Sequence, residues 1–274
     1  MLKYEMSQIY KGTGVSEGLD RGILVYNNDV LLVEEGMGLG SCAFQTGGLT
    51  YFASISDIKK DVNSFVVIYN IDKMLELKVF GRRSELFTRV QEQIATNIYM
   101  KREKIQKNLL ILGGLVEKIF NMQVCFVKIP AIGEVRITYQ LGHNSVTMDV
   151  DCEIEKKAGK LFLMNELGGS IFDRSIVKGE MSTSPSGWQK MGNSCELYSK
   201  AHSLAFTIIE KNIPDNVRSN LYWGREQLSN KYCWAGFESE IIFDISKFSN
   251  YSYSINFREL ENDFEKNSTL STGL

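Results

Sequence analysis

The sequence predicts an α+β protein, predominantly antiparallel β, in which two β-rich halves flank one long amphipathic helix. Three observations carry that expectation. Short apolar segments rich in β-branched and aromatic residues recur at intervals of about eight to twelve residues, the pattern of a sandwich or barrel. Between residues 83 and 121 the apolar period changes from two to three or four. The stretch from Asp20 to Cys42 has a fainter echo from Asp173 to Cys195; each spans 22 positions and each opens on Asp-Arg. A further echo pairs Phe80-Gly81-Arg82 with Trp223-Gly224-Arg225. A tandem duplication accounts for this, and so does the chance likeness of two Gly-rich, strand-forming stretches. The domain boundaries that follow are 1–82, a β-rich half; 83–121, the helix; 122–260, a second β-rich half; and 261–274, a polar tail expected to be disordered.

In the first half, Asn27-Asn28-Asp29 separates two apolar runs, 23–26 and 30–33, and predicts a hairpin. Gly47-Gly48 predicts a second tight turn and Asn70-Ile71-Asp72 a third. Phe65-Val66-Val67-Ile68-Tyr69 is a continuous apolar run suited to a strand buried on both faces. From Phe87 through Val90, Ile94, Ile98, Ile105, Leu109, Leu112 and Val116 to Ile119 the spacing is helical. Ser84 caps that start, Glu85 suits the first turn, and Gly113-Gly114 kinks or divides the helix.

Strand alternation then resumes. Val146, Met148, Val150, Cys152 and Ile154 point to one face, and Thr147, Asp149, Asp151, Glu153 and Glu155 to the other. Gly142-His143-Asn144-Ser145 is the turn before it, and Lys156-Lys157-Ala158-Gly159-Lys160 closes a hairpin after it. The last clear strands are 203–209, 237–245 and 251–257.

Composition bounds the function. The 274 residues are 43% hydrophobic and 23% charged, with a net charge of -2 and no cluster of basic residues, so nucleic acid is not an expected partner. Five widely spaced cysteines, an odd number without a Cys-x-x-Cys pair, predict free buried thiols. The longest apolar run, Leu109 to Val116, is too short to span a bilayer, and the N-terminus lacks an apolar signal core. A soluble, cytoplasmic protein without a membrane span is the expectation.

The chemistry-bearing residues are few. Only His143 and His202 are present, and neither sits at metal-ligand spacing. Gly36-Met37-Gly38-Leu39-Gly40-Ser41 lacks the ending of a phosphate loop and does not open a helix, so its glycines mark a bulge, bend or close approach. The acidic row from Asp149 to Glu155 reads as a solvated edge, not a cation site. Carboxylate–guanidinium pairs are of more interest, because a carboxylic acid held near arginine in an aromatic cavity can orient or protonate a ligand. The acid–base candidates are Asp20, Glu35, Glu166, Asp173 and Glu226, with His202 in reserve. The ligand-binding candidates are Arg21, Arg174, Trp223, Arg225 and Trp234, with no metal and no cofactor. Arg225, Glu226, Trp223 and Trp234 are expected together at a pocket. The function that follows is the binding of a small, largely apolar molecule, or metal-independent acid–base chemistry of lyase, hydratase or isomerase type. The alternative is a non-enzymatic interaction module or homodimer that uses the helix or an aromatic sheet face.

Overall fold

In the computed structural model, the described residues are 2–7, 20, 22–27, 30–31, 38–94, 115–155, 158–167, 172–182, 187–199, 203–211, 213–225, 232–244 and 250–260. Nineteen strands alternate along them: β1 (Leu2–Ser7), β2 (Gly22–Asn27), β3 (Val30–Leu31), β4 (Gly38–Thr46), β5 (Leu49–Lys60), β6 (Ser64–Val79), β7 (Arg82–Arg83), β8 (Gln123–Lys128), β9 (Gly133–Leu141) and β10 (Ser145–Ile154). They continue with β11 (Ala158–Glu166), β12 (Arg174–Val177), β13 (Glu180–Ser182), β14 (Gly187–Lys190), β15 (Ser194–Ser199), β16 (Leu204–Lys211), β17 (Val217–Arg225), β18 (Tyr232–Asp244) and β19 (Tyr251–Glu259). One helix, α1 (Glu85–Ile94), follows β7, and residues 115–120 are also helical.

All of these strands join one sheet, every pairing antiparallel, which folds back into two layers. The first layer runs β9–β10–β19–β16–β15–β12–β13, and the second runs β5–β4–β11–β18–β17–β14. β6 joins them, pairing with β5 along one edge and, on the other, with β9 through residues 64–70 and β8 through 73–78. Between the layers lies one apolar core, with Phe44, Tyr69, Ile137, Tyr139, Leu161, Leu163, Phe206, Phe237, Tyr251 and Tyr253 buried in it. The Phe237 and Tyr253 rings meet edge-on across it, centroids 5.2 Å apart.

This corrects the expected fold class. The chain is not two β-rich halves around a long amphipathic helix. Strands from before and after the helix pair with each other, β6 with β9 and β4 with β11, so the halves are not separate units. The duplication fails on the same ground: β5 pairs with β6, which follows it, whereas β16 pairs with β19. The helical period does mark α1, but residues 95–114 of the expected helix lie outside the described residues. Nor is α1 seated by an apolar stripe, since Leu86 and Val90 are 70% and 49% exposed. Its buried contact is Thr88, whose hydroxyl accepts from the Leu77 N–H at 2.9 Å and donates to the Ser84 carbonyl at 2.9 Å. Ser84 does stand at the cap, its Oγ 3.5 Å from the Phe87 nitrogen.

Several local expectations meet the structure directly. Tyr26 and Asn27 pair with Leu31 and Val30 as the first hairpin requires, and Gly47 and Gly48, both at positive φ, turn β4 into β5. Val146, Met148, Val150 and Cys152 are buried on one side of β10. Two turns were misread. Asn70-Ile71-Asp72 lies within β6, where the strand bulges against β5 and changes partner from β9 to β8. Asp72 is held there by a 2.6 Å hydrogen bond from the Ser54 hydroxyl. The 156–160 stretch closes no hairpin; β10 pairs with β9 and β19, while β11 crosses to the other layer. The predicted tail, 261–274, lies outside the described residues.

Candidate functional site

A row of polar groups crosses the apolar core. Near one end Glu210 of β16 points inward and is 8% exposed. Its Oε1 accepts from the Tyr251 hydroxyl at 2.5 Å and from Ser219, and the Ser239 hydroxyl lies 2.7 Å from Tyr251. Burial pushes the Glu210 carboxyl above its usual range, and those two donors partly offset the shift. Further along, the Tyr253 hydroxyl donates to Asn165 Oδ1 at 3.1 Å, and the Tyr139 hydroxyl donates to the Leu39 carbonyl at 3.1 Å. The Tyr251–Glu210 bond lies within the first layer; the bonds of Ser219, Ser239, Asn165 and Leu39 join one layer to the other.

The second layer carries a different constellation on its outer side. Since Asn165 points into the core, Glu166 points away from it, with Met164 and Phe162. On β18, Phe237, Ser239 and Ile241 are buried, so Glu238 and Glu240 share the outer side with Glu166. Register then places the groups. One row reads Gly38, Glu166, Gly236; the next reads Ser41, Met164, Glu238, Asn220, Lys190; the third reads Ala43, Phe162, Glu240, Arg218. Glu240 is 9% exposed and pairs with Lys160 at 2.9 Å. Glu166 and Glu238 stand on adjacent strands two positions out of register, which places their α-carbons about 7–8 Å apart. Glu166 is half-buried, and both of its cross-strand neighbours are glycines. Glu166, Met164, Phe162 and Glu238 are half-buried on this side, and Ser41, Ala43 and Glu240 of the same rows are buried.

Of the residues expected from sequence, only Glu166 falls on this surface with its side chain described. Asp20 lies elsewhere, where its Oδ2 accepts from the Ile55 N–H at 2.6 Å. Burial raises its carboxyl and the Ile55 bond partly offsets that. Asp173 is exposed beside Arg174, with 3.4 Å between Oδ1 and Nε, and the Arg174 guanidinium sits 5.2 Å from the centre of the Tyr198 ring. Trp223 and Arg225 of β17 register against Ala235 and Tyr232 of β18, and Trp234 against Gly224. These positions lie on two paired strands, and their side chains lie outside the described residues. So do Arg21, Glu35, His202 and Glu226.

Glu238, Glu240, Asn220, Asn165, Tyr253 and Glu210 were missed. The alternation of Phe237-Glu238-Ser239-Glu240-Ile241 was a usable signal, because it puts two acids on the outer face of a core strand. Among the described residues no group of three or more His, Cys, Asp and Glu converges as a metal ion would need. Of the 36–41 stretch, Gly40 stands at a bulge and a close approach. Gly40 has φ 89°, and a β-carbon there would overlap the Tyr139 hydroxyl. Gly22 has φ 81°, and a β-carbon there would overlap the Leu39 carbonyl.

No protein-family model and no curated protein matches the chain. Among solved structures it is similar to an Escherichia coli K12 protein provisionally named an aldose 1-epimerase, at 8% identity and TM-score 0.44, over 95% of this chain and 100% of that one. It is similar also to heparan sulfate lyase HepC from Pedobacter heparinus (10% identity, TM-score 0.37, 76% of this chain and 22% of that one). A family GH92 α-mannosidase from Bacteroides thetaiotaomicron is a third (8% identity, TM-score 0.38, 100% of this chain and 31% of that one). At these identities and TM-scores none of them assigns a chemistry to this chain.

Proposed function

We propose that the chain binds a small hydroxylated molecule on the outer side of its second layer, and that Glu166 and Glu238 exchange protons with it. The observation that supports this is the setting of Glu166, a half-buried carboxylate flanked in register by Gly38 and Gly236. Glycines beside a charged group leave bare backbone, which lets a ligand approach the carboxylate closely. A diagonal spacing of about 7–8 Å between the backbone positions of Glu166 and Glu238 puts both side chains within reach of one small molecule. Proton exchange then needs one carboxyl to hold a proton while the other accepts one. Met164 and Phe162 suit the apolar face of a ring, so the ligand expected from sequence changes from largely apolar to amphipathic.

Saturation-transfer NMR against D-glucose, D-galactose and myo-inositol tests this. A ring signal is expected with the wild type and its loss with Glu166→Gln and Glu238→Gln, both still folded by circular dichroism. Absence of signal from the wild type, or its retention in both variants, overturns the reading.

A homodimer is the second reading. Phe80, Leu86, Leu115 and Ile119 are exposed, and the Phe120 ring touches those of Phe80 and Phe87, so apolar groups gather around α1. Sedimentation would show a dimer that Leu86→Glu disperses; a monomer at all concentrations removes this reading.

A further inference from the structure

We infer that Asn165 and Tyr253 are positioning residues for Glu166, acting through the bulge at Gly40. The inference rests on the reading of Glu166 given above. Met164 registers with Ser41, Asn165 with Leu39, and Glu166 with Gly38, so Gly40 is the extra residue. A regular ladder continuing from Met164 would bring Leu39, not Gly38, beside Glu166. The bulge therefore exchanges a leucine for a bare backbone next to the carboxylate.

Both residues of the pair just past the bulge are held from the other layer. Leu39 receives the Tyr139 hydroxyl on its carbonyl, and Asn165 receives the Tyr253 hydroxyl on Oδ1, each at 3.1 Å. Tyr139, Tyr253 and Asn165 are fully buried. Asn165 Nδ2 is also buried and makes no hydrogen bond among the described residues. An orphaned amide in an apolar core is destabilising, so an apolar side chain would serve the core better. What Asn165 supplies that an apolar residue cannot is an acceptor one position from Glu166, tied to a tyrosine whose ring is fixed against Phe237.

The double variant Asn165→Leu/Tyr253→Phe separates position from stability. Removing both partners leaves no buried hydroxyl stranded and deletes the orphaned amide, so the melting temperature is expected to hold within about 2 °C or to rise. The backbone NOE between Glu166 and Gly38 is expected to weaken in favour of one to Leu39, and sugar binding to fall by about tenfold or more. An unchanged Glu166–Gly38 NOE overturns the inference whatever the binding does. So does loss of binding only in proportion to lost stability, as an ordinary core bond would give. If the double variant fails to fold, Tyr253→Phe alone removes the same bond with one atom and is read by the same NOE. The NOE needs no ligand, so failure of the sugar-binding reading leaves it interpretable.

Discussion

The Tyr139 hydroxyl fills the space where Gly40 would carry a side chain, and from there it donates to the Leu39 carbonyl at 3.1 Å. Tyr139 belongs to β9 and Gly40 to β4, so the contact joins the two layers at the bulge.

Gly40→Ala is therefore expected to destabilise strongly. The φ of 89° disfavours any β-carbon, and the Tyr139 ring cannot retreat through a packed core. Together these cost ~3 kcal/mol or more. Gly48→Ala is the control, because its φ is 75° while the nearest atoms are Arg89 carbons and nitrogens at 3.8 Å. Urea unfolding should show a loss several times smaller there; equal losses would remove the special role of Tyr139.

Stability should fall as pH rises through the weakly acidic range. Burial raises the Glu210 carboxyl above 4.5 and the Asp20 carboxyl above 3.8, so the folded chain holds both protons more tightly than the unfolded chain. That stabilisation is complete below those ordinary values and is lost as pH passes upward through the raised ones. Glu210→Gln should flatten the pH dependence of the urea midpoint. A wild-type midpoint that climbs over this range and is unaltered by the substitution would contradict the assignment.

The thiols should differ in reactivity. Cys42, Cys152 and Cys195 are buried and unpaired, and burial pushes all three well above the usual thiol range. Cys125 is half-buried on β8, its Sγ 3.4 Å from the Glu76 carbonyl. Alkylation of the folded protein without reductant should label Cys125 well before those three, and all four should label once unfolded. Early labelling of Cys42 would place it nearer the surface than the structure does.

Thr88→Val should cost ~1–3 kcal/mol, because the buried Leu77 N–H loses its acceptor while the volume of the side chain hardly changes. Circular dichroism melts would register it. A change near zero would mean that solvent or another group replaces the hydroxyl.

Strand content and several turns were legible because they are written locally. Val146 to Cys152 alternates with period two, and Gly47-Gly48 has the conformational freedom its turn uses. Pairing was not legible. Asn70-Ile71-Asp72 has turn-forming residues, yet long-range ladders to β8 and β9 overrode that preference and kept the strand running. The carboxylates show the same limit. Glu166 could be noticed beside Gly168-Gly169, but its relation to Glu238 exists only through a ladder between residues far apart in sequence. Glu210 looked like the polar end of a strand, and only the opposite layer makes it a buried carboxyl.

The interleaving of β4, β11 and β18 bears on how the molecule is made. Met164 lies 123 residues beyond Ser41, whose strand it must pair. As the chain leaves the ribosome, β4 and β5 can form their hairpin early, but the other edge of β4 waits open until β11 has been synthesised, and β11 waits in turn for β18. Domains that emerge first often fold first; here the early strands cannot complete a layer by themselves. An unpaired edge of this kind invites pairing with another chain. Translation arrested between β5 and β11 would release a product with that edge exposed, a natural substrate for chaperones.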